Sequence, residues 1–132
     1  MKGYTANIEK LTEANKNFRF VLYTAKHCQL VVMSLKPGEE IGMETHTEND
    51  QFFRVESGAG KVIIDGISHD VSDGFAVIVP AGATHNVINV SPTEPLKLYT
   101  LYSPAHHADA VVHRTKDEAL TDEEEFDGVT TE

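Results

Sequence analysis

The chain has 132 residues, 40% apolar and 24% charged, the composition of one globular domain with a single core. Its formal net charge of −10 is concentrated at one end: residues 117–132 carry eight acids and no Lys or Arg, leaving 13 acids against 11 bases in residues 1–116. That distribution offers no basic patch to a phosphate backbone, and no apolar run is long enough to span a bilayer, so nucleic-acid and membrane functions are excluded.

The opening M-K-G-Y-T-A-N-I-E-K has no apolar leader character, and the single Cys28 has no internal disulfide partner. Both features point to a cytoplasmic protein. Residues 1–17 read as an N-terminal arm with scattered apolar positions. Phe18–Thr24 and Cys28–Leu35 are rich in aromatic and β-branched residues and predict two strands, the second stopped by Pro37-Gly38. Ile41–His46 and Gln51–Glu56 follow as strands on either side of a short loop. Lys61–Asp65 and Ile67–Val71 form a hairpin across Asp65-Gly66. Phe75–Val79, His85–Val90 and Leu96–Tyr102 complete the set. Short strands at this spacing, without β–α alternation, predict an all-β sandwich or barrel over residues 18–104. Residues 105–132 form an extension. In it Thr115 and Glu118 match a capping box, which predicts a helix from Lys116 to about Glu125. The acidic end beyond it reads as a solvated, frayed tail.

Three polar residues stand out between Gly38 and Gly58. On an extended segment Glu44 and His46 project from one face, and Gln51 can meet them after the loop. A carboxylate, an imidazole and an amide oxygen can hold a divalent ion. His85 completes the cluster only where its strand lies beside the first. Spacing by itself leaves even choice between a metal site and an ordinary polar cluster, because Glu-x-His pairs are common.

Two motifs resolve the choice. Gly38, Glu44, His46, Gln51 and Gly58 keep every spacing of the pattern G-x5-H-x-H-x3,4-E-x6-G. Gly74, Pro80, Gly82, His85 and Asn89 match G-x5-P-x-G-x2-H-x3-N at every position. With them the sequence resembles the cupin superfamily, in the small single-domain, mannose-6-phosphate-isomerase-like form. The resemblance implies a double-stranded β-helix, a jelly-roll barrel with its site inside, and implies that His46 and His85 are metal ligands. Glu44 stands where the family has its first His, and Gln51 where it has Glu. The two exchanges keep the formal ligand charge at one negative, so the site is rearranged rather than lost. Glu48 lies too close to Gln51 to take the place of Glu44 in the motif.

The expected ligand set is therefore Glu44, His46, Gln51 and His85 around Mn, Fe, Ni or Zn, with two positions left for a small-molecule substrate. Phe53 and Val87 share the inward faces of Gln51 and His85. In the last strand the alternation does not decide between Lys97, Tyr99 and Leu101 or Leu98, Thr100 and Tyr102. The Tyr102-Ser103-Pro104 end resembles small pectin-degradation cupins, which favours Thr100 and Tyr102 as pocket groups, with His106 at the mouth. Arg54 reads as outward-facing, and no inward Arg or Lys is evident for a phosphate. Asn89 reads as a partner for buried backbone, and His69, His107 and His113 as non-ligands unless the tail folds back.

Three functions fit. The first is a metal-dependent isomerase or tautomerase of a sugar or similar hydroxy-carbonyl compound, with Glu44 or a Tyr102–water pair as base. The second is a non-haem Fe(II) dioxygenase, and the third a non-enzymatic binding or sensing module. A homodimer is expected, because an open jelly roll leaves edge strands to cover.

Overall fold

A computed structural model describes residues 1–132. Ten strands form two antiparallel sheets. They are β1 (Arg19–Thr24), β2 (Gln29–Leu35), β3 (Glu44–Thr45), β4 (Asp50–Ser57), β5 (Ala59–Ile64), β6 (Ile67–Ser72), β7 (Ala76–Val79), β8 (Thr84–Asn89), β9 (Leu96–Ser103) and β10 (Val112–His113). The larger sheet has the order β10-β1-β2-β9-β4-β7 and the smaller β3-β8-β5-β6. No helix is long and apolar enough to cross a membrane. This is the double-stranded β-helix that the motifs implied.

Inward residues alternate along each strand, as the period of two requires. Val31, Met33, Leu35, Phe53, Val55, Leu96 and Leu98 from one sheet meet Val62 and Val87 from the other in the core. In β9 the buried positions are Leu96, Leu98, Thr100 and Tyr102, so the face left open by the alternation is settled in favour of Thr100 and Tyr102. Parity breaks in several places, among them β1, where the register shifts between Val21 and Tyr23, and β2, where Val31, Val32 and Met33 are all buried. A register shift between Val55 and Ser57 turns Glu56 into a buried position, where its carboxylate meets Arg54 Nε at 3.1 Å.

The motif residues that are not ligands have plain structural reasons. Gly58 has φ +94°, and a Cβ there would lie 2.5 Å from the Pro95 carbonyl oxygen. Asn89, 1% exposed, donates from Nδ2 to the carbonyls of Leu35, Lys36 and Glu94, and its Oδ1 accepts from Ser91 N–H. It ties two loops to the barrel, in the role its motif position suggested.

Three expectations are corrected. Ile41–His46 is not one strand: Gly42, at φ +110°, breaks the extended run, and only Glu44–Thr45 pair regularly. The helix α2 covers Lys116–Thr121 and stops short of Glu125. At its end Asp122 takes extended backbone, with φ −101° and ψ 111°, and Asp122 and Glu124 contact His113 and His107. Nor is the C-terminal end frayed. Thr131 N–H donates to Thr24 O at 2.9 Å, and the Glu132 carboxylate accepts from Gly3 N–H and the Tyr23 hydroxyl. At the other end the arm contains a helix α1 (Ile8–Ala14), capped by Asn7 and packed on β9, β2 and β4.

Candidate metal centre

The pairing of β3 with β8 brings the two halves of the site together. Glu44 and His85 are direct cross-strand partners, so their side chains leave the sheet side by side. His46, two residues on, turns its ring to the same spot. Its Nε2 lies 3.1 Å from Glu44 Oε2, and His85 Nε2 lies 4.0 Å from that same oxygen. One ligand atom from each of the three falls within 4.8 Å of the others. His85 is 2% exposed and His46 9%, while Glu44 is the member open to the outside. Glu48 is exposed and takes no part.

Gln51 lies on β4 of the larger sheet, paired with Tyr102, whose ring packs against His46. Its Nε2 donates to Thr100 Oγ1 at 3.0 Å, while its Oε1 is buried with no hydrogen-bond partner. A buried acceptor without a donor is costly, about 1–3 kcal/mol, and a cation satisfies it. The donor set of two imidazoles, a carboxylate and this orphaned amide oxygen fits a divalent transition metal.

Phe53, Val87, Thr100 and Tyr102 are buried around the cluster, with the Phe53 ring 6.1 Å from that of His85. Tyr102 packs edge-on to His46 at 5.8 Å. His106 lies between solvent and cluster, 4.2 Å from the His46 ring centroid and stacked on Tyr102 at 5.2 Å. A cavity of about 180 Å³ reaches the cluster at Glu44, with Arg19, His107, Lys116, Asp122 and Glu124 also in its wall. The residues 105–132 thus close one side of the site.

Sequence reasoning passed over the groups that make this closure. His107 Nδ1 lies 2.6 Å from Glu124 Oε1, whose second oxygen accepts from Ala108 N–H. With the Nδ1 proton given to the carboxylate, Nε2 accepts from the Tyr102 hydroxyl at 3.3 Å. Gln29, fully buried, holds the segment in place. Its Oε1 accepts from the N–H groups of His106 and His107, and its Nε2 donates to His107 O and Thr24 Oγ1. Only the absence of an apolar side chain at an inward position of a core strand hinted at Gln29. Replacing Gln29 by Ala strands four buried polar groups and is expected to cost about 2–4 kcal/mol. Urea unfolding measures it, and an unchanged midpoint would remove Gln29 from this role.

The electrostatics follow from burial. Desolvation holds the His85 imidazole below its usual range, and pushes His106 down to about 4, helped by His107 and His46. Desolvation also lowers His107, against the opposing pull of Glu124. For Glu44 and Glu124 burial is the largest single influence and acts upward, but hydrogen bonds from His46 and from His107 and Ala108 respectively, together with the nearby positive charges, outweigh it and leave both carboxyls lowered. All five groups bind protons more weakly in the folded state than in the unfolded chain. Their contribution to stability is present above the unfolded values, roughly pH 6.5 for the imidazoles, and is lost as pH falls. Metal-free protein is therefore expected to melt progressively earlier from about pH 6.5 down to about pH 4. Thermal melts across that range in a chelating buffer check this, and a flat profile would contradict it.

The family comparison agrees with this geometry. The family model described as "Cupin domain" matches residues 31–102. The chain is a cupin. This cupin is 45% identical over 130 residues to the uncharacterized protein YrkC of Bacillus subtilis, covering 93% of this chain and 69% of that one. The crystal structure of BH2720 from Bacillus halodurans shares 40% identity at TM-score 0.89, over 92% of this chain and 96% of that one. KdgF from Halomonas sp., at 23% identity and TM-score 0.60 over 65% and 78% of the two chains, shares the fold.

Proposed function

We propose that this cupin is a metal-dependent isomerase or tautomerase acting on a sugar or a similar small hydroxy-carbonyl compound. The supporting observation is the Tyr102–His107–Glu124 hydrogen-bond series beside the Glu44–His46–His85 cluster. A divalent ion held by Glu44, His46, His85 and Gln51 would polarise adjacent carbonyl and hydroxyl oxygens of a ligand and acidify the C–H between them.

The chain then has to move one proton and put it back. The series runs from Glu124 and His107 in the cavity wall to the phenol packed against His46. Burial raises the Tyr102 pKa well above the phenolic range, so the hydroxyl carries its proton at rest. His107 Nε2 accepts the hydrogen bond from that hydroxyl and draws on its proton as the substrate reacts, with Glu124 offsetting part of the burial that keeps the imidazole neutral at rest, as a carboxylate steadies the histidine of a hydrolase triad. A proton removed from the hydroxyl-bearing carbon and returned to its neighbour, with the hydroxyl proton passing to the former carbonyl oxygen, leaves no net change in atoms, as isomerisation requires.

The test has two stages. Metal content is measured on protein purified without an affinity tag. Loaded protein is then incubated in D2O with aldoses, ketoses and 2-keto sugar acids, and deuterium uptake next to the carbonyl is followed by NMR. Loaded protein that exchanges none of them would sink the isomerase reading. The two-His-one-carboxylate set of Glu44, His46 and His85 also suits Fe(II) oxygen chemistry. Oxygen consumption by Fe(II)-loaded protein in place of deuterium uptake would favour that second reading.

A further inference from the structure

Arg19 lies in β1, within the predicted strand Phe18–Thr24. It is a buried cation in the wall of the cavity that reaches Glu44, 7% exposed. Its side chain makes one hydrogen bond, from Nη1 to His113 Nδ1 at 3.1 Å, and its Nε–H is buried with no partner. No carboxylate pairs with it. The acids nearby are committed elsewhere. Asp122 accepts from His113 Nε2 at 2.9 Å, Glu124 accepts from His107 and Ala108, and Glu44 faces His46. The expectation that no inward arginine exists is thereby corrected.

A guanidinium removed from water without a counter-charge is costly, and such groups are normally paired. Nη1 occupies the side of the fork nearer Cδ, so the unpaired donors, Nε–H and Nη2, form the opposite edge. That edge matches the two oxygens of a carboxylate or of a phosphate. The wall otherwise holds Lys116 against three acids, Glu44, Asp122 and Glu124. With Arg19 the formal sum is −1, and a divalent ion on Glu44 turns it to +1.

We infer that Arg19 is an oxyanion-binding residue, and that the molecule this cupin takes up carries a carboxylate or phosphate which Arg19 holds while the rest of it reaches the cluster at Glu44. The second half rests on the metal reading above; the first does not. Sugar acids and sugar phosphates would then be better ligands than neutral sugars.

The full chain, metal-free and Zn(II)-loaded, is titrated with acetate, inorganic phosphate and neutral acetamide, following the Arg19 Nε–H resonance and the amides of Ala119 and Leu120 by NMR. A saturable shift with acetate or phosphate and none with acetamide is expected. Acetate alone assigns a carboxylate, and phosphate alone a phosphate. Arg19→Gln is expected to weaken the anion roughly tenfold to a hundredfold, with Arg19→Lys in between, as for hydrogen bonds to charged groups. Equal shifts from acetamide, no shift from either anion, or undiminished binding by Arg19→Gln would overturn the inference. Should Arg19→Gln fail to fold, the comparison of anions with acetamide on the wild-type chain still decides. Anion binding without metal uptake would sink the metal reading and leave the Arg19 site standing.

Discussion

Replacing His85 by Ala is expected to weaken divalent-metal binding by more than about a hundredfold, since even loss of an outer-shell partner costs 10–100-fold. His85 is the most buried of the three clustered ligands, and its cross-strand pairing with Glu44 fixes it at the centre of the donor set. The loss reads out in two ways. Competition titration gives the affinity directly. The second is stability: metal at about a thousand times its dissociation constant adds about 4 kcal/mol to a protein that binds it only when folded. The wild-type chain should show that rise in melting temperature and His85→Ala should not. His69→Ala, on the exposed face of β6, is the control and should keep it. Gln51→Leu should fall between, weaker by about tenfold, because it removes the orphaned Oε1 but no charged or imidazole ligand. A metal-dependent melting shift that survives in His85→Ala would remove this cluster from consideration as the site.

The second large effect concerns Tyr102. Tyr102→Phe keeps the ring that packs against His46 and His106 and removes only the hydroxyl bonded to His107. The fold and the metal affinity should therefore stay within error of the wild type. Turnover should fall by about 10²–10⁴, the range for loss of a positioned proton-transfer group. Deuterium exchange into the substrate is the assay, with metal content measured on the same sample. Glu124→Gln should lower turnover as well, because an amide no longer offsets the burial that keeps the His107 imidazole neutral, and it loosens the contact that pins the tail. Full exchange activity in Tyr102→Phe would mean that protons move by another route, with Glu44 as the remaining candidate in the cavity wall.

Closure of the cavity by the C-terminal segment links tail docking to the site. Glu124 joins a buried histidine, and its neighbours Phe126, Thr131 and Glu132 bond to His106 O, Thr24 and the N-terminal arm. The acidity that looked like a property of a solvated tail is partly spent on these contacts. In sequence the pairs lie up to 130 residues apart, so no local pattern could reveal them.

What the sequence determined by itself is local in nature. Alternating apolar residues marked the strands of the barrel, and Gly and Pro marked its turns, because side-chain period and backbone freedom act within a few residues. The motif resemblance implied that Glu44, His46, Gln51 and His85 form one constellation, and β3–β8 pairing brings Glu44 and His85 side by side with His46 next to them. Tertiary structure alone decided the rest. A bulge buried Glu56 against parity, and Gly42 cut short the strand before Glu44. Arg19, Gln29, His107 and Glu124 took on their roles only when the chain folded back over the barrel mouth. Burial and pairing of such groups depend on which distant segments exclude water from them, and that is a property of the packed chain.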